Sequence, residues 1–220
     1  MDGEWTTMGN DRDEPFLVYN NGAAANVRVT VFGTESGLQL LGRSAQWYMD
    51  GNFAMAPAIF SQLYVIRVSL GDSAVTCVYA LLGGKTTATY EEMLRGVSAK
   101  CDSLGCSADP QKVVALEPSG FYSVFSLHVF IVWFSVQLIY CYHTRSLCMT
   151  FQAVWSAVRN VFGQYVIIQG CFFHLCQSTW RKIQQLGLTE LYKSDDRVKQ
   201  FCGMLDALAF LPPAEVPTGN

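Results

Sequence analysis

Residues 47–53 read Trp47-Tyr48-Met49-Asp50-Gly51-Asn52-Phe53. An aromatic, strand-like run delivers one carboxylate, and a glycine follows at once. A carboxylate at the open end of a buried strand can serve as a first ligand for Mg²⁺ in phosphoryl chemistry. The glycine, having no side chain, would let a ligand or a nucleic-acid backbone come close. Asp-Gly is also an ordinary turn pair. The weight of this stretch therefore comes from what surrounds it.

Upstream, Val27–Phe32 reads as a strand and Ser36–Ser44 as a short helix, after which Ala45–Met49 forms the strand that delivers Asp50. Downstream, Gln62–Leu70 and Val75–Leu82 are β-rich runs separated by the turn signal Gly71-Asp72-Ser73. The spacing then predicts a helix over Thr89–Leu104. Thr89 and Glu92 have capping-box spacing, and Tyr90, Met93, Leu94 and Val97 make an apolar stripe. A short strand, Val113–Leu116, follows Pro110. Later come a helix over Phe151–Phe162, a strand over Tyr165–Ile168 and a helix over His174–Leu186. A last amphipathic helix over Asp195–Leu211 stops at Pro212-Pro213.

From Ala45 onward, with one long apolar segment set aside, the order is three strands, helix, strand, helix, strand, helix. Three antiparallel strands followed by alternating helices and strands give an α/β mixed sheet with helices on both faces. This is the order of a ribonuclease-H-like core. In such a core the first and fourth strands are neighbours, so carboxylates at their tips can share a metal pair about 3.5–4 Å apart.

Composition sets the limits. Half of the 220 residues are hydrophobic and only 15% are charged, against about a quarter in ordinary soluble domains. The net charge of −3 provides no global basic field for holding nucleic acid. Residues 1–15 are acidic and polar, without the basic-then-apolar pattern of a secretory signal. Eight cysteines in such a chain read as free thiols in a reducing compartment.

The sequence resembles the Mutator-like element (MULE) transposases of the DDE superfamily. The matching words are Trp47-x-x-Asp50-Gly51-x-Phe53, Pro57-x-x-Phe60-x-Gln62-Leu63-Tyr64, Tyr79-Ala80-Leu81-Leu82 with Lys85, and Tyr90-Glu91-Glu92-Met93-Leu94. The match continues through Gly170-Cys171-x-Phe173-His174-Leu175-x-Gln177, Gly187-Leu188, Leu191-Tyr192 and Ala207-Leu208-Ala209-Phe210-Leu211-Pro212. One internal block apart, it covers roughly residues 25–213. The resemblance implies cut-and-paste DNA transposition in the nucleus, with transposon ends as the DNA partner. Two aspartates and a glutamate would hold the divalent metal, Mg²⁺.

Asp50 matches the first of those acids and would be both a catalytic residue and a metal ligand. The second is expected after Val113–Leu116, where Glu117 is the nearby carboxylate and Pro118 follows it. No Asp or Glu occurs between Glu117 and Glu190, and the third family acid is expected past the end of this chain. Hard Mg²⁺ needs several anionic oxygens, so the missing ligands predict a core without transposase activity. Cys171 and His174 form the family's Cys/His motif and would shape the site. Zinc there would need further ligands that are not evident in the sequence.

Between Pro118 and Thr144 no charged side chain occurs. Phe121–Tyr142 would span about 30 Å as a helix, enough for a bilayer core. Three readings compete: a transmembrane helix, a buried piece of the core, and a block foreign to the fold. We favour the third, because family-like sequence stops and restarts across the block. The resulting organisation is a disordered segment at 1–24, first core part at 25–117, apolar insert or transmembrane helix at 118–149, second core part at 150–213, and a tail at 214–220.

Other motifs are weaker. Leu82-Gly83-Gly84-Lys85-Thr86 resembles the end of a phosphate loop, but Tyr79 stands where the first glycine is required. Cys101-x4-Cys106 reads as a pair of free thiols about a loop. Arg181 and Lys182 suit either DNA phosphate or solvent. The expected function is a MULE-type transposase core fragment without catalytic activity. The alternatives are a domesticated, non-catalytic nucleic-acid or protein-binding module, and a single-pass membrane protein with a degenerate transposase domain.

Overall fold

The computed structural model describes residues 6–8, 14–52, 55–116 and 145–210, apart from the side chains of residues 116, 145–151, 173 and 174. Its centre is a seven-stranded mixed sheet. The strands are β3 (Leu17–Asn20), β4 (Val29–Phe32), β5 (Gln46–Asn52), β6 (Gln62–Leu70), β7 (Ser73–Leu82), β8 (Lys112–Leu116) and β9 (Ile167–Gly170). Their spatial order is β3-β4-β7-β6-β5-β8-β9. Two short strands before them, β1 (Thr7–Met8) and β2 (Glu14–Pro15), pair only with each other.

Five strands set the architecture around Asp50. β5, β6 and β7 form an antiparallel meander. The β6–β7 hairpin closes over Gly71-Asp72, with Leu70 opposite Ser73 and Gly71 at φ +59°, a left-handed conformation suited to a tight hairpin. β8 then returns parallel to β5, and β9 adds parallel to β8. Parallel neighbours need crossovers. Helix α2 (Thr87–Ser103) connects β7 to β8, and helix α3 (Arg145–Phe162) precedes β9.

One face of the sheet is covered by α1 (Glu35–Arg43), α2 and α3. Leu38 and Leu41 of α1, Tyr90, Met93, Leu94 and Val97 of α2, and Ala157 and Val158 of α3 are buried in one cluster with Trp47, Met49, Ile66, Val78 and Val113. Trp47 is the hub. Its Nε1 donates to the carbonyls of Leu41 and Ser44, both at 3.1 Å, and Phe162 meets its ring edge-on at 5.3 Å. Burying such an indole contributes on the order of 2–3 kcal/mol through apolar area, and its polar tip is satisfied. The remaining helices are α4 (Phe172–Gln185), α5 (Thr189–Ser194) and α6 (Asp196–Ala207), followed by a 3₁₀ turn at Leu208–Phe210.

Several boundaries differ from expectation. Leu17–Asn20, inside the segment expected to be disordered, is the edge strand β3. Tyr19 lies against Gly96 of α2 and donates to Glu92 at 2.9 Å, and this packing explains its order. Helix α2 begins a turn earlier than the apolar stripe suggests. Its cap is Thr86, whose Oγ1 accepts from the Thr89 N–H at 3.3 Å, so Thr89 and Glu92 are not a capping box. β9 lies two residues beyond the expected Tyr165–Ile168, and the short helix α5 was not expected. The apolar segment Phe121–Tyr142 lies outside the described residues. Among the described residues no helix is long and apolar enough to cross a membrane.

Candidate functional site

Alternation along β5 decides where Asp50 points. Trp47, Met49 and Gly51 are buried on the helix-covered face, while Gln46, Tyr48, Asp50 and Asn52 take the opposite face. Asp50 stands directly across from Val65 on β6 and from Leu116 on β8. The first and fourth strands of the expected core are thus parallel neighbours, with their tips side by side.

Among the described residues no cluster of acids gathers around Asp50. Burial pushes its carboxyl pKa up. The positive charge of Arg67 and the Gly51 N–H both pull it down. Arg67 faces Tyr48 across the strands, one diagonal step from Asp50. Its Nε donates to Thr76 Oγ1 at 3.1 Å, which holds the guanidinium toward β7. Along the same face a polar row continues from the Asp50 tip. Gln46 Nε2 donates to the Tyr48 hydroxyl at 2.6 Å, and Ser69 Oγ lies 3.3 Å from that hydroxyl.

Gly51 has a different role from the one expected. A Cβ built on it would sit 2.9 Å from Gln62 Oε1 and 3.0 Å from Tyr64 Cδ2. The missing side chain makes room for two core residues, not for a ligand. Gln62 is fully buried, and its Nε2 donates to the Gly84 carbonyl at 3.0 Å and to the Tyr90 hydroxyl at 2.9 Å. This one amide ties the tip of β5 to the start of α2. Its Oε1 and the nearby Tyr64 hydroxyl are buried without a hydrogen-bond partner among the described residues. Burial strongly raises the pKa of Tyr64, and the Tyr90 and Asp50 charges raise it further. Sequence reasoning quoted Gln62 in a motif but gave it no role. The signal was an amide at the head of the apolar run Leu63–Ile66.

The other expected residues fall elsewhere. Glu117, the candidate second carboxylate, lies outside the described residues. Among the described residues no group of three or more His, Cys, Asp or Glu side chains is placed to hold a metal ion, so Mg²⁺ has no assembled ligand set there. Cys171 is the N-cap residue of α4, nearly buried and without a side-chain capping bond. His174 lies in the first turn of that helix, and its side chain is outside the described set.

The element that Cys171 opens is a packed helical unit. Asp206 of α6 accepts from Thr179 Oγ1 at 2.6 Å, and its charge acts on the Cys176 thiol. Burial, and then the charge of Asp206, push the Cys176 thiol up to about 12. In the Gly83-Gly84 loop, the Gly83 N–H donates to the Arg28 carbonyl at 2.7 Å, and a Cβ there would lie 2.9 Å from the Arg28 nitrogen. Gly83 thus serves close contact with the chain at Arg28, beside β4, rather than cradling a phosphate.

No family model, curated protein or solved structure matches the chain.

Proposed function

We propose that this chain is a ribonuclease-H-like scaffold of Mutator-like transposase descent that no longer cleaves DNA. The carrying observation is the strand order β7-β6-β5-β8-β9, with β5 and β8 parallel and Asp50 opposite Leu116. A two-metal nuclease core of this class uses that juxtaposition to gather acids from two strand tips. Here the strand residue opposite Asp50 on β8 is Leu116, and the described charge that acts on Asp50 is the cation of Arg67. Asp50 is then an inherited ligand with no assembled ligand set among the described residues. Any remaining role toward DNA would be binding rather than strand transfer.

The test uses purified full-length protein, supercoiled plasmid and Mg²⁺ or Mn²⁺. The expected result is no nicking above a protein-free control. Calorimetric titration with Mn²⁺ should show no saturable heat that disappears in Asp50→Asn. Metal-dependent nicking abolished by Asp50→Ala would overturn the loss of activity. An experimental structure in which β5 and β8 are not adjacent would overturn the descent.

A further inference from the structure

Helix α2 ends in a Schellman turn. The Cys106 N–H donates to the Cys101 carbonyl and the Gly105 N–H to the Asp102 carbonyl, both at 3.0 Å, with Gly105 at φ +72°. This turn sets the side chain in the helix's last full turn beside the one just past the left-handed glycine, where an apolar contact is usual. Both positions are cysteine here. Cys101 Sγ lies 3.9 Å and Cys106 Sγ 3.8 Å from the same Leu38 carbonyl oxygen. The Cys106 thiol also donates to the Cys101 backbone carbonyl at 3.3 Å. Gly42 of α1 makes the space, since a Cβ there would lie 3.0 Å from the Cys106 Cβ and 3.3 Å from its sulfur. Cys101 is fully buried and Cys106 only partly so.

We propose that Cys101 and Cys106 are a redox-modification site that closes reversibly into a disulfide across the C-terminal cap of α2. The co-reactant is a small disulfide such as oxidised glutathione. The Cys106 thiolate attacks one of its sulfurs, forming a mixed disulfide and releasing one glutathione thiolate. Cys101 then gives up its proton and attacks the Cys106 sulfur, and the second glutathione leaves as a thiol. The protein dithiol loses two electrons and the small disulfide gains them. Exposure sets the order of the steps, because only Cys106 can be reached from solvent. Burial raises the Cys101 thiol to about 12, which keeps Cys101 unreactive until its partner is primed. The bond would fix the joint between α2 and the chain that enters β8.

Digestion provides a clean readout. Trypsin cuts after Lys100 and Lys112, and the peptide between them holds Cys101 and Cys106 and no other cysteine. The folded full-length protein is equilibrated with glutathione redox buffers, alkylated, digested and weighed. In oxidising buffer the peptide is expected to be lighter by two hydrogens and to carry no alkyl group, and dithiothreitol should reverse this. Unfolding in urea should raise the oxidised-to-reduced glutathione ratio at half-oxidation by about tenfold, because the preset geometry is lost. Cys77, a buried cysteine on β7, also acts electrostatically on Cys101; Cys77→Ser should leave the pairing intact, and Cys106→Ser should abolish it. Three outcomes overturn the proposal: alkylation of both cysteines in buffers that oxidise other thiols, glutathione retained on Cys106, or a Cys77–Cys101 bond formed in the presence of Cys106.

Discussion

Asp50 sits where its charge is unwelcome, and that has a measurable sign. Burial raises its folded-state pKa above the unfolded value despite Arg67 and the Gly51 N–H. A carboxyl shifted this way stabilises the fold while protonated and loses that contribution as pH rises through the folded pKa. Asp50→Asn should therefore be more stable than the parent at pH 7. The advantage should vanish below the ordinary carboxylate range, near pH 4. Urea midpoints across pH 3.5–8 check this, and a parent that is the more stable at neutral pH would indicate compensating ligands around Asp50. The adjoining Gly51 makes the opposite case, since its absent side chain is a packing requirement. Gly51→Ala forces a methyl against Gln62 Oε1 and the Tyr64 ring. Overpacking of this kind costs about 1–3 kcal/mol, which urea denaturation would read directly. A neutral result would mean that Gln62 has room to swing aside.

At the scale of elements, helix α2 separates what periodicity can tell from what it cannot. Its buried residues Tyr90, Met93, Leu94 and Val97 follow helical spacing, so the existence of the helix was legible. Its start was not, because the first turn, Thr87 and Ala88, contributes nothing to the apolar stripe. Thr86→Ala should cost about 1 kcal/mol through loss of the N-cap, and a stability change well below that would return the cap to Thr89. The same reasoning explains other differences. β6 and β7 read clearly because each carries a long apolar run bounded by Gly71-Asp72. β3 was invisible because what orders it is a contact distant in sequence, Tyr19 on Gly96. The site divides the same way. The placement of Asp50 at a strand tip follows from alternation. The closure of that tip by Gln62, through Gly84 and Tyr90, depends on three elements meeting in space.

At the scale of the whole molecule, the question is how much chain the sheet needs between β8 and β9. They are parallel neighbours, with Lys112 opposite Ile167 and Ala115 opposite Gly170. A parallel connection needs a crossover of about a dozen residues or more, and the 18 residues of α3 already provide one. The loops flanking such a helix ordinarily run about 2–6 residues. The uncharged stretch from Pro118 to Thr144 is far longer than a loop requires, and it begins directly beyond the strand tip that faces Asp50. If that stretch is foreign to the fold, replacing residues 118–144 with a Gly-Ser linker of about six residues leaves the sheet and its helical cover intact. The expected result is cooperative unfolding within about 1 kcal/mol of the parent. Amide protection on β5 and β8 should be unchanged, and aggregation should fall because an apolar stretch has been removed. Loss of cooperative unfolding, or of protection along β8, would instead make residues 118–144 part of the core.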